Sequence, residues 1–265
     1  MPETPAQPGM VADSAVLGDL QIRAASVVGP AHRGRGIPRQ DAYRMGPGAG
    51  EGHFVAAVAD GMSDSRHSDV GANVAVAAMV VALREALDEH RELERIDAKQ
   101  IFLAAAAQMY RTAEQRGWDP DEVRAVAVAA VVPARVAPGS RRHVWLASLG
   151  DASAWRLREQ RWEQLIGDEK GGLDAGSVDC FLPHDPGRVD YRVLELLPGD
   201  VLALTSDGVA DALATVPGAE GWFAERWRTA PAVGDFLLQV GFEQTQMQDD
   251  RTAVVVWCPE AEPRR

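Results

Sequence analysis

Apolar stretches of six to nine residues, each closed by polar or turn-forming positions, recur along most of the chain. They predict strands at 21–28 (QIRAASVV), 54–59 (FVAAVA), 124–132 (RAVAVAAVV), 143–149 (HVWLASL), 153–159 (SAWRLRE), 191–196 (YRVLEL), 201–206 (VLALTS) and 252–257 (TAVVVW). SAWRLREQRWEQL reads as a hairpin turning near Glu159-Gln160. Longer periodic segments predict two helices between the second and third strands. One spans about 70–90 with Ser68 as its N-cap; the other spans about 98–116, opened by Asp97 and closed by Gly117. A third helix is expected over 231–244. Strands that come in adjacent runs around one helical pair favour an α+β fold of layered antiparallel sheets flanked by helices over a doubly wound parallel sheet. Residues 1–18, Pro-rich and aperiodic, read as a flexible tail, and 259–265 as another; 19–258 between them reads as one domain.

Composition narrows the picture modestly. The chain has 265 residues, 46% hydrophobic and 25% charged, within the ordinary globular range. A formal charge of -12 argues against duplex nucleic acid or an anionic membrane as the main partner. It suits a protein that gathers cations, although solubility alone also accounts for it. Cys180 and Cys258 form no CxxC pair, so neither a disulfide framework nor a thiolate metal site is expected. The N-terminus lacks the pattern of a signal peptide. No apolar run is judged to approach the ~18 residues of a membrane helix. The cytoplasm is the expected location.

Carboxylates at strand ends carry the chemistry. FVAAVA runs into Asp60-Gly61, VWLASL into Gly150-Asp151 and VLALTS into Asp207-Gly208; Asp249-Asp250 precedes TAVVVW, and Asp41 follows the first strand. For any one of these an ordinary turn is the favoured reading. Five together are harder to dismiss, because strand ends in a layered sheet can converge on one edge, where clustered acids would repel unless a cation neutralised them. All the candidate donors are oxygens and no His or Cys set has zinc spacing, so a hard ion such as Mg²⁺ or Mn²⁺ fits best. Two such ions a few ångströms apart form a common device for attack at phosphorus.

Four pieces in this order resemble the metal-dependent type 2C Ser/Thr protein phosphatases: RQDAY at 39–43, VADGM and SDVGA within 58–72, LGDASAW at 149–155 with LTSDGVADAL at 204–213, and DDRTAVVV at 249–256. The match runs over roughly 25–257, and GPAHRGRGIPRQDA is similar to a bacterial branch of that family. The resemblance implies an α-β-β-α sandwich, two central antiparallel sheets between helix pairs. It implies that Asp60 bridges two Mn²⁺ or Mg²⁺ ions, with the Gly61 carbonyl, Asp207 and Asp249 completing the ligands. Asp41 would hold metal-bound water, and Asp151, shared with Asp207, would hold a third, weaker ion. Direct attack of a metal-bridging hydroxide on phosphoserine or phosphothreonine would follow, without a covalent phosphoenzyme. The glycine-rich segment 167–190 takes the place of the family's flap. Phosphorylated proteins would be the substrates, a Ser/Thr kinase the functional counterpart, and the chain a monomer.

The sequence departs from that pattern. Gly36 stands where relatives commonly carry the Arg that clamps phosphate; His32 with Arg33 or Arg35 is the favoured substitute, although each reads equally well as a solvated loop charge. Met62 stands where some relatives have a proton-donating His, Ser63 where glycine is usual, and Asp250 where Asn is frequent. These departures keep open a pseudophosphatase, a binding module with the same fold and little turnover. A cation-binding regulatory domain unrelated to phosphate is a third reading. His67, Asp64 and Asp69 read as loop or cap groups, His184 as a surface residue, and Trp145, Trp155 and Trp162 as core.

Overall fold

The computed structural model describes residues 8–90, 92–168 and 180–259. Among these, one sheet contains β1 (Met10–Leu17), β2 (Leu20–Val27), β7 (Ser153–Arg158), β8 (Arg161–Ile166), β10 (Val201–Thr205) and β11 (Arg251–Trp257), in the order β1-β2-β11-β10-β7-β8. The other contains β3 (Ala42–Pro47), β4 (His53–Gly61), β5 (Ala125–Pro133), β6 (Arg142–Leu149) and β9 (Asp190–Leu196), in the order β3-β4-β5-β6-β9. Every pairing is antiparallel. Helix α1 (Pro30–Arg35) links β2 to β3. Helices α2 (Ser68–Glu89) and α3 (Ala98–Arg116) cover the second sheet, while α4 (Asp207–Thr215), α5 (Ala219–Arg226) and α6 (Val233–Val240) cover the first. This is the α-β-β-α sandwich expected.

The alternation along β4 explains the layering. Phe54, Ala56 and Val58 point into the core between the sheets, against Ile22, Leu202, Leu204 and Val254. Val55, Ala57 and Ala59 point the other way, against Ala72, Val76 and Met79 of α2. A strand buried on both faces has no polar positions, which is why FVAAVA reads as a continuous apolar run. A third core, with Phe223, Trp227 and Phe236, lies between the first sheet and its helices. Trp145, Trp155 and Trp162 are all buried.

Several expectations need correction. Residues 10–17 are not a tail: they form β1, in register with β2 from Met10↔Val27 to Leu17↔Leu20. The two-residue turn between them has Gly18 at φ 64°, a conformation that suits glycine. β1 is an edge strand held by backbone pairing, its side chains exposed or only half-buried, so it carries little apolar signal. β3, α1, α4 and α5 were likewise unforeseen, and α6 is shorter than the helix expected there. Ser68 lies inside α2, whose N-cap is His67. Helix α2 is also long and apolar enough to cross a membrane, against the expectation from the sequence. Half of its apolar window is buried in the fold, where it packs on the second sheet and α3. As expected, Asp97 caps α3 by accepting from Lys99 N at 2.9 Å, and Glu159 and Gln160 make the β7–β8 turn. Part of the flap segment, 169–179, and the tail residues 260–265 lie outside the described residues.

Candidate metal centre

The strand registers bring the acids together. In the second sheet Ala42 pairs with Ala59, so Asp41 and Asp60 are neighbours at one end of β3 and β4. In the first sheet Thr205 pairs with Ala253, which brings the residues after β10 and before β11 to one end; there Asp207, at the start of α4, lies close enough to Asp249 for their charges to oppose each other. Asp151 sits in the connection from β6 to β7, which passes from one sheet to the other. The two pairs face each other across the sandwich, with the Asp207 backbone N–H donating to Asp60 Oδ2 at 3.3 Å. Gly61 is wedged in: a Cβ there would lie 2.8 Å from the carbonyl oxygens of both Gln40 and Ser68. Only glycine lets the backbone enter the pocket so closely.

The electrostatics are those of a concentrated negative pocket. Burial, and then the charges of Asp41, Asp207, Asp249 and Asp151, push the Asp60 carboxyl well above the usual carboxylate range. Burial and the nearby Asp250 charge push Asp41 up to about 8, against the opposing pull of the Ser206 and Thr252 hydroxyls. Asp249 is raised by burial and by Asp207. Asp41 is held by a relay: Arg39 Nη1 donates to Ser26 Oγ at 2.7 Å, Ser26 meets Thr252 Oγ1 at 2.5 Å, and Thr252 donates to Asp41 Oδ2 at 2.7 Å. Arg39 also binds the Asp41 carbonyl oxygen. Asp41 Oδ1 is buried with no hydrogen bond of ordinary geometry. These oxygen donors, raised in pKa and with the adjacent cations engaged elsewhere, fit hard divalent ions.

Asp250 does a different job. Oδ1 accepts from Gly29 N at 2.6 Å and from His32 Nδ1 at 2.9 Å, and Oδ2 accepts from Gln40 N at 2.5 Å. These donors hold its pKa below the usual range in spite of burial, and the same contact raises that of His32. His32, Asp249 and Asp250 each bring one donor atom within 4.8 Å of the others. Because three N–H groups already occupy the Asp250 oxygens, that cluster is a hydrogen-bonded pair beside the pocket.

The basic residues expected to grip phosphate are dispersed. His32 is buried and committed through Nδ1 to Asp250. Arg33 is exposed and pairs with Glu243 at 3.1 Å, and Arg35 is exposed at the end of α1. Met62 and Ser63 stand in the turn after β4, where Met62 N donates to the Arg124 carbonyl. His67 stacks on Trp118 with ring centroids 3.6 Å apart, and His184 pairs with Asp121 at 3.0 Å. Sequence reasoning missed the Arg39–Ser26–Thr252 relay and the His32–Asp250 pair. The second aspartate and the threonine of DDRT were the signals available.

The family model described as Protein phosphatase 2C matches residues 28–245. A search of curated proteins found no match. Among solved structures, a bacterial serine phosphatase is 14% identical with a TM-score of 0.66, over 91% of this chain and 99% of that one. The S. agalactiae serine/threonine phosphatase is 16% identical with a TM-score of 0.63, over 94% of this chain and 99% of that one. RsbX in complex with magnesium is 13% identical with a TM-score of 0.55, over 93% of this chain and 99% of that one. With the family model spanning most of the chain and the same sandwich in these structures, the chain belongs to the protein phosphatase 2C family of protein serine/threonine phosphatases.

Proposed function

We propose that this phosphatase is Mn²⁺- or Mg²⁺-dependent and hydrolyses phosphoserine and phosphothreonine in proteins by direct attack of water. The observation that carries this reading is the meeting of Asp41, Asp60, Asp207 and Asp249 from both sheets in one place where their charges oppose one another. Asp60, the Gly61 carbonyl, Asp207 and Asp249 would hold two ions, and Asp151 with Asp207 a third, weaker one. When bound, such ions supply the positive charge that acidifies water and neutralises phosphoryl oxygens. Asp41, steadied by Thr252, orients the attacking water through its second oxygen. Met62 leaves the 62 position without a titratable group, so the leaving oxygen takes its proton from elsewhere. Of the basic residues on α1, His32 is committed to Asp250 and Arg33 to Glu243, which leaves Arg35 to meet the substrate phosphate. We place the enzyme in the cytoplasm as a monomer, opposing a Ser/Thr kinase.

Release of inorganic phosphate from a phosphoserine peptide, measured with and without Mn²⁺, tests this reading. Turnover should require the metal, and D60N and D207N should abolish both turnover and tight Mn²⁺ binding by calorimetry. No release in excess metal, or wild-type metal binding by D60N, overturns it.

A further inference from the structure

We propose that the outer groove between α2 and α3 receives α2 of a second copy of this chain, in a two-fold symmetric pairing. None of the acids of the metal pocket lines that groove, so the inference stands apart from the function proposed above. Each copy keeps a whole site, and the single chain remains the catalytic unit. Helix α2 is apolar over more of its surface than the fold covers. Ala75, Val76, Met79 and Leu83 pack inwards on the second sheet and α3. Val74, Ala78, Val81, Ala82 and Glu85 recur as one stripe of the helix and line a groove of about 490 Å³, with Ala104 and Arg111 of α3 on its far wall. Val81 is 52% exposed, although it lies in the middle of that stripe.

The placing of two charges decides the occupant. The connection from Glu89 to Ala98, with a helical turn at Leu93–Arg95, is too short to run back along the ~33 Å of α2, so the two helices are antiparallel. Arg111, near the end of α3, therefore lies towards Val74, while Glu85 lies roughly 16 Å further along α2, at the other end of the groove. Both are exposed, and neither has an ion pair among the described residues; Arg111 donates to Gln108 Oε1 at 2.6 Å. A groove with an acid at one end and a base at the other is its own complement under a two-fold axis, because the rotation exchanges the ends. Seated antiparallel in the groove, the second α2 brings its Glu85 to Arg111 of the first copy, and the reciprocal pair forms at the other end. Val81 of each copy enters the groove of the other, where alanines allow close approach of the helices. The formal charge of -12 on each copy opposes association, so single chains prevail on dilution.

Sedimentation equilibrium of the full chain from about 1 to about 500 µM tests the pairing and should show a monomer–dimer equilibrium. Val81→Asp should raise the dissociation constant at least about tenfold, and Glu85→Arg or Arg111→Glu alone about five- to tenfold. The double variant E85R/R111E puts opposite charges back at both ends, so its dissociation constant should return to within about threefold of wild type. A chain that is monomeric throughout leaves the groove to a helix of another protein and overturns the proposal. A dimer unchanged by Val81→Asp, or single reversals that the double variant fails to rescue, overturns it too. The wild-type series needs no variant, so a misfolded substitution does not shield the proposal. Phosphate release enters none of these measurements, and failure of the pairing is thus distinct from failure of the phosphatase reading.

Discussion

Replacing Asp250 with Asn keeps the shape of the side chain and removes its charge, so it isolates what the buried carboxylate contributes. Asp250 accepts three N–H bonds, from Gly29, His32 and Gln40. An asparagine oxygen at the Oδ1 position keeps two of them as neutral bonds, while its NH₂ faces the Gln40 N–H, donor against donor. Hydrogen bonds to a charged group are worth about 1.5–3 kcal/mol, against about 0.5–1.5 for neutral ones, so the two surviving bonds together weaken by about 2 kcal/mol. The buried Gln40 N–H left unsatisfied costs a further ~1–3 kcal/mol. The sum, about 3–5 kcal/mol, is a large part of the 5–15 kcal/mol that a domain typically holds. Urea unfolding at pH 7, followed by tryptophan fluorescence, should show a midpoint lowered by about 1–2.5 M for a slope of about 2–3 kcal/mol/M. A loss below about 1 kcal/mol would refute the reasoning, because it would mean that the 29–40 loop is held without this carboxylate.

Three further outcomes follow from the same pocket. Thr252→Val removes the hydroxyl that bridges Ser26 and Asp41, and should cost about 1–3 kcal/mol in thermal or urea unfolding. Asp151→Asn should reduce turnover of a phosphopeptide while calorimetry still finds the two principal Mn²⁺ sites; loss of those sites would show that Asp151 belongs to them. Without metal, stability should fall as pH rises from about 4 to about 8. Asp41, Asp60 and Asp249 have folded pKa values above their unfolded ones, so the fold is favoured while they hold protons and loses that advantage as they ionise. His32 adds to the same trend, since its raised pKa stabilises the fold at low pH and that contribution is lost as pH rises through the folded value. Asp250 acts in the opposite sense, with its stabilisation lost only as pH falls below the ordinary carboxylate range. Unfolding curves across this range, with and without excess Mn²⁺, check the sign: the metal should flatten the decline.

The sequence alone determined the two-sided apolar strands, the α2–α3 pair, the β7–β8 hairpin and the acids at strand ends, because each is a local pattern of periodicity, capping or punctuation. The order of those acids with their flanking residues was enough to indicate the family. Tertiary structure decided the rest. β1 and β3 owe their existence to pairing partners rather than to a pattern of their own, and α2 is a core helix because a sheet and α3 cover it. The pocket exists because antiparallel register sets Asp41 beside Asp60 and brings the end of β10, with Asp207, to the start of β11, with Asp249, and because the two sheets then face each other. The exchange of a surface-looking HRGR segment for a buried His32 bound to Asp250 follows from the chain folding back to bring together residues 218 positions apart. Local composition holds no record of which distant carboxylate a histidine will meet, since that is set by chain register and packing.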